Sequence, residues 1–166
     1  MARLTGESTI TLSVLDRLID REPELSQEPG LSRAQSIRIL RASVRRDLES
    51  LLNTRRIAVL PGEGFDELNR SVYLFGLPDL STLNMSGGGD RNRLLKGLSE
   101  AINLFEPRLT QVMVSMVENP ETLKTDVRLR IEALLRMDPV PEPVSFDSVL
   151  ELQSGACRLT GGDDAR

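Results

Sequence analysis

Glu106, Pro107 and Arg108 put a carboxylate and a guanidinium on either side of a residue that stops helices. They close an apolar helical pattern, AINLFEPRL, over residues 101–109. The proline has no N–H to donate and its ring crowds the preceding turn, so a helix does not readily run through it. Glu106 then stands near a helix C-terminus, where the dipole is negative and a carboxylate is disfavoured. It needs a compensating charge, and Arg108 lies two residues on, across the break. A charged pair at a helix-to-strand corner suits either catalysis or the docking of a partner. Buried without partners, such a pair costs free energy, which a partner surface would relieve.

The catalytic option needs further groups. With Asp47 or Glu49 as a second carboxylate, Glu106 could run glycoside hydrolysis, which places an acid and a nucleophile or base on opposite sides of a bond. Sugar sites usually offer aromatic faces, however, and this chain has one Tyr, four Phe and no Trp. Ser43, Ser50 or Cys157 as nucleophile would lack a base, because there is no His. The same absence removes the commonest metal ligand, and a single Cys leaves no internal disulfide or zinc cluster. GEGFDE and SGGGD follow no strand and open no GKS or GKT sequence, so they read as loops and not phosphate cradles. The residues therefore imply no catalytic group, no metal and no cofactor. Met113, Met116 and Met137 fall in strand patterns and read as core or face residues.

The densest charged stretch is SVRRDLESLLNTRR, residues 43–56. On a helix Arg45 and Glu49 are four apart, as are Arg46 and Ser50, so an ion pair is expected on a solvated face. The interleaved acids and the lack of an aromatic stacking platform argue against nucleic acid, as does a net charge of −4. At 166 residues the chain suits one domain with a real core. The expected division is an N-terminal segment over 1–30, a domain over 31–160 and a flexible tail over 161–166. No apolar run approaches the ~18 residues of a membrane span, and acids close behind the first apolar stretch do not fit a signal peptide. A soluble cytoplasmic domain is the expectation.

These residues have to be held by helices that come first and strands that come last. Residues 13–20 place Val14, Leu15, Leu18 and Ile19 on one side of a short helix. REPELSQEPG breaks it. Ser32 and Gln35 fit a capping box, and Ile37, Leu40, Val44, Leu48, Leu51 and Leu52 then recur at helical spacing to residue 53 or 54. Asp66 is expected to cap a short helix, ELNRSVYLF, closed by Gly76. STLNMSGGGD reads as a mobile loop, and another amphipathic helix follows over 90–105. The period then changes to two. Val112, Val114 and Met116 alternate with Gln111, Met113 and Ser115. Residues 127–137 put Val127, Leu129, Ile131, Ala133, Leu135 and Met137 on one face, with Arg128, Arg130, Glu132 and Arg136 mostly on the other. A third run covers 144–152, and ACRL adds a short return. The class is α+β: N-terminal helices packed on one face of a C-terminal antiparallel sheet of about three to four strands.

The segments SVLDRLID, SVRRDLESLLNTRR, LFGLPDLS, AINLFEPRL and RLRIEALLRMDPVPEPVSFDS together resemble the TssE-type baseplate subunit of type VI secretion systems. That subunit belongs to the lysozyme-like baseplate wedge family, found also in contractile phage tails. The resemblance implies a non-enzymatic scaffold that joins the baseplate wedge to the first ring of the contractile sheath and nucleates the sheath. Its partners would be wedge proteins of the TssF, TssG and TssK types and sheath proteins of the TssB and TssC types, with no nucleic acid and no membrane insertion. It assigns Glu106, Pro107 and Arg108 to wedge anchoring. Arg46, Asp47, Glu49, Asn53 and Arg55 become structural or contact residues. The alternatives are a phage-tail-like wedge protein and a muramidase-type hydrolase. A late sheet also leaves an edge, which templates strand addition. The run over 144–153 is the expected edge, with the arginine-rich sheet face as the other candidate contact.

Overall fold

The structure is a computed structural model and describes residues 10, 12–19, 23, 24, 32–80, 88–117, 126–152 and 154–161. It has two layers. The helices are α1 (Val14–Leu18), α2 (Arg33–Asn53), α3 (Asp66–Asn69) and α4 (Gly88–Phe105), with a 3-10 turn at Val72–Leu74. They precede β1 (Leu109–Met116), β2 (Asp126–Leu135), β3 (Glu142–Glu151) and β4 (Cys157–Gly161). The four strands form one antiparallel sheet in the order β1-β2-β3-β4. The expected α+β class, with helices first and an antiparallel sheet of about three to four strands last, is what the chain adopts, with four strands in the sheet.

The period-two pattern translates directly into burial. In β2 the residues Val127, Leu129, Ile131, Ala133 and Leu135 are buried, and Arg128, Arg130 and Glu132 between them are exposed. β3 continues the inner face with Val144, Phe146, Ser148 and Leu150. Onto this face α2 sets Leu40, Val44, Leu48, Leu51 and Leu52, and α4 sets Leu94, Leu98, Ala101 and Ile102. On the outer face Arg130 and Asp147 pair directly across β2 and β3 at 2.8 Å.

Both long helices start and stop for local reasons. The Ser32 hydroxyl accepts from the Gln35 N–H while the Gln35 side chain accepts from the Ser32 N–H, so the expected capping box is complete. α4 ends at Phe105, immediately before Glu106 and Pro107. Between the two helices the chain returns along the end of α2, where Arg56 donates to the Leu77 carbonyl and Leu77 to that of Thr54. Gly76 makes this approach at φ +105°, and a Cβ there would sit 2.3 Å from the Thr54 oxygen.

Four sequence expectations need correction. The helix expected after Asp66 is split, because the Ser71 hydroxyl donates to the Leu68 carbonyl and accepts from the Tyr73 N–H, competing with the helical ladder. Asp66 lies inside α3, whose cap is Phe65 and has no side-chain bond. Arg45 does not pair with Glu49; it donates to the Leu159 carbonyl of β4 at 2.9 Å. The run 144–153 is not an edge, since β3 pairs with β2 on one side and β4 on the other. ACRL forms the strand that covers it. The loop expected at STLNMSGGGD falls largely outside the described residues, and its last three residues open α4. The expected tail also lies outside them, apart from Gly161.

Candidate functional site

Where α4 stops, Glu106 still donates its N–H to the Ile102 carbonyl, and Leu109 donates back to the Glu106 carbonyl to open β1. The turn drives the Glu106 side chain inward, and the residue is 3% exposed. Its carboxylate is satisfied within the chain. Arg108 donates from Nε to Oε1 at 2.6 Å and from Nη2 to Oε2, in the two-pronged geometry that suits guanidinium and carboxylate. The Arg108 N–H adds a third bond at 3.3 Å.

Arg108 also reaches α2. Its Nη2 donates to Asp47 Oδ2 at 2.6 Å and its Nη1 to Ser43 Oγ at 2.9 Å. Arg46 holds the other Asp47 oxygen at 3.0 Å and Asp16 Oδ1 at 2.9 Å. Ser43 and Ser13 both donate to Asp16 Oδ2, the former at 2.7 Å. Ser43, Arg46 and Asp47 share a helix face because they are three and four residues apart. Three carboxylates and two guanidiniums, joined by two hydroxyls, thus tie α1, α2 and the α4–β1 corner together.

Within this network the hydrogen bonds favour the charged forms of Arg108, Arg46 and Asp16. Burial disfavours the charge of Arg108, but Glu106 and Asp47 outweigh it and move its pKa up. Hydrogen bonds to Asp47 and Asp16 do the same for Arg46. Burial raises the Asp16 pKa, yet the bonds from Ser13, Ser43 and Arg46 prevail and hold it at about 2, against an ordinary 3.8. One guanidinium, that of Arg108, bridges Glu106 and Asp47. Cys157 is buried, and burial pushes its thiol up to about 11, so it is a poor nucleophile.

The residues singled out in the sequence therefore fall into two groups. Glu106, Arg108, Arg46 and Asp47 come together, with Pro107 as the turn between them. Asn53 and Arg55 lie at the far end of α2. Asn53 donates to the Cys157 carbonyl at 2.7 Å and accepts from its N–H at 2.8 Å, and Arg55 pairs with Asp79. Glu49, one turn earlier, offers its backbone carbonyl to Asn53. Sequence reasoning missed Ser13 and Asp16, and took Ser43 only as a nucleophile. A signal existed, since Ser13 and Asp16 have the spacing of a capping motif and Ser13 does cap α1. Beside the corner lies a groove of about 620 Å³ walled by Ile10, Leu12, Leu40, Arg108, Arg136 and Met137.

A family model described as baseplate wedge protein gp25 matches residues 38–140, more than half of the chain. The match takes in Ser43, Arg46, Asp47 and the Glu106–Arg108 corner, and leaves out α1, β3 and β4. No curated protein matches the chain.

Proposed function

The chain belongs to the baseplate wedge protein gp25 family, and from that premise we propose that it joins a type VI secretion baseplate wedge to the contractile sheath. The family is one of structural baseplate proteins, and the TssE subunit is its type VI secretion member. In the proposed role the Glu106–Arg108 corner anchors the chain to TssF-, TssG- and TssK-type wedge proteins. A free strand edge receives the first TssB- and TssC-type sheath subunits, and assembly takes place in the cytoplasm. Among the described residues no helix is long and apolar enough to cross a membrane.

The observation that carries this reading is the continuity of corner and edge. Residues 106–116 run from the buried charge network straight into β1, an outermost strand of the sheet. Val117 donates to the Arg128 carbonyl at 2.9 Å. By the alternation of an antiparallel ladder, the N–H groups of Val114 and Met116 then turn away from β2 toward the free edge. Among the described residues no strand pairs with that edge, and such an edge is a template for another chain's strand. One segment thus offers a rigid anchor at one end and a pairing edge at the other.

The test separates the two contacts in cells with a fluorescent sheath. Arg108→Ala should abolish co-purification with the wedge proteins. Val114→Pro should keep that co-purification but yield baseplates without sheaths. Normal wedge capture by Arg108→Ala would refute the anchoring role, and normal sheath frequency with a folded Val114→Pro would refute strand addition at β1.

A further inference from the structure

We infer that Asp16 is a positioning residue for the Glu106–Arg108 corner: from α1 it holds Ser43 and Arg46, and through them it fixes where the Arg108 guanidinium points. The inference rests on the docking reading above, and concerns a residue outside the family match.

Asp16 is 8% exposed, although it sits on a five-residue helix whose apolar side chains face outward. Val14, Leu15 and Leu18 are 72%, 56% and 76% exposed. A helix on a protein body normally turns its apolar side in. Here the inward group is a carboxylate with three side-chain donors, Ser13, Ser43 and Arg46. The placement of α1 is therefore set largely by this one polar contact, with Ile10 and Leu12 packed beside it.

Two routes lead from Asp16 to Arg108. The first is Ser43. A hydroxyl has one proton and two lone pairs. Giving the proton to Asp16 at 2.7 Å leaves the lone pairs facing Arg108 Nη1 at 2.9 Å. The second is Asp47, whose two oxygens are divided between Arg46 and Arg108. While Arg46 has Asp16 as a second anion, it needs only one Asp47 oxygen. Without Asp16, Arg46 has Asp47 alone and competes with Arg108 for it. Both routes end on the guanidinium that is to meet the wedge.

The experiment uses the full-length chain and two readouts. The first is solvent exchange of the Arg108 Nε–H by NMR, which needs no partner. Exchange is slow while Nε donates to Glu106, and it should speed up clearly in Asp16→Asn and also in Ser43→Ala. Unchanged exchange in both variants overturns the inference. The second readout is the affinity for a purified TssF–TssG-type wedge complex. Asp16→Asn should weaken it by about 2- to 30-fold, the range expected for residues acting through a contact network. In an Arg108→Lys background, which keeps a cation and measurable binding but loses the guanidinium fork, the same change should add little, because its route is gone. A loss of full size in that background would overturn positioning, since Asp16 would then act by another path. If Arg108→Ala alone binds normally, the docking reading falls, and the exchange measurement still decides whether Asp16 positions Arg108.

Discussion

β1 and β4 are the two outer strands of one sheet, and α2 treats them in opposite ways. At β4, Asn53 closes both backbone groups of Cys157 and Arg45 takes the carbonyl of Leu159. At β1, α2 holds only the entrance, through Ser43 and Asp47 on Arg108. Beyond that the strand carries a register shift between Thr110 and Met113, with Gln111 at φ 53°. Bulges of this kind twist an edge and re-aim its side chains. From Met113 to Met116 the strand is again in regular register with β2. Exposed edges invite pairing with other chains, and proteins usually blunt them. One edge is blunted here by side-chain bonds from α2, and the other is anchored at its start by the charge network and, among the described residues, has no strand beyond it. The difference fits the proposed use of β1 as the pairing edge.

The largest effect should come from cutting the charged anchor. Arg108→Ala leaves Glu106 buried with no guanidinium and takes one cation from Asp47. Breaking a buried pair by removing one partner costs ~3–5 kcal/mol. Because the Arg108 side chain is 24% exposed, water will reach part of the gap, and the lower end is expected. Urea unfolding checks this, with the slope unchanged if the fold survives. A loss under about 1 kcal/mol, the scale of a surface pair, would make the corner a surface ornament and remove the contrast between the edges.

Opening the closed edge should cost less. Asn53→Ala removes both bonds to Cys157 and strands its N–H and carbonyl beside the core. Leaving such groups unsatisfied costs roughly 1–3 kcal/mol. Amide exchange at Cys157 should accelerate accordingly, and a tendency to self-associate at high concentration should appear. Unchanged exchange would show that the β3–β4 ladder alone defines that edge.

The acid dependence of Asp16 should be smaller again. Its carboxyl has a folded pKa of about 2 against 3.8 ordinarily. A lowered folded value means that the stabilisation is fully present above pH 3.8 and is lost as pH falls through 2. Allowing for solvent at the rim, about 1–2 kcal/mol is expected at neutral pH. The stability gap between the native chain and Asp16→Asn should therefore be constant above about pH 5 and close below 3.8. A gap that persists at pH 2 would mean that Asp16 stabilises by packing and not by charge.

What was legible in the sequence follows the range of the interactions. β2 and β3 could be read because burying one face of a sheet forces strict alternation. α2 could be read from Ser32 and Gln35, which meet within one turn. The helix after Asp66 was misread because Ser71 competes locally in a way that periodicity does not record. Strand order was half legible. Short connections permit the antiparallel meander, and ACRL reads as a short return, but its few residues do not show that it covers β3, so the central β3 looks like an edge. The charge network was legible only at the Glu106–Arg108 pair. Asp16, Ser43 and Arg108 are separated by 27 and 65 positions, and nothing local selects them from the other charged residues.

The smallest effect on stability is expected where the functional effect is greatest. Val114→Pro removes an N–H that faces away from β2, so no bond of the β1–β2 ladder is lost. Proline is tolerated on edge strands for that reason. Val114 is only partly buried against the core, so the change should cost about 1 kcal/mol or less, mainly through altered packing. The same substitution at Val149 is the control. Val149 pairs with Arg128 on one side and Arg158 on the other, and its N–H turns toward β4, because Glu151 two residues on donates to Ala156. Val149→Pro should therefore unfold the sheet or lower its midpoint far more than Val114→Pro does. Circular dichroism melts of the two variants give the comparison directly. Equal destabilisation would mean that β1 is held as tightly as an interior strand, and the argument that its edge is kept free for another chain would fail.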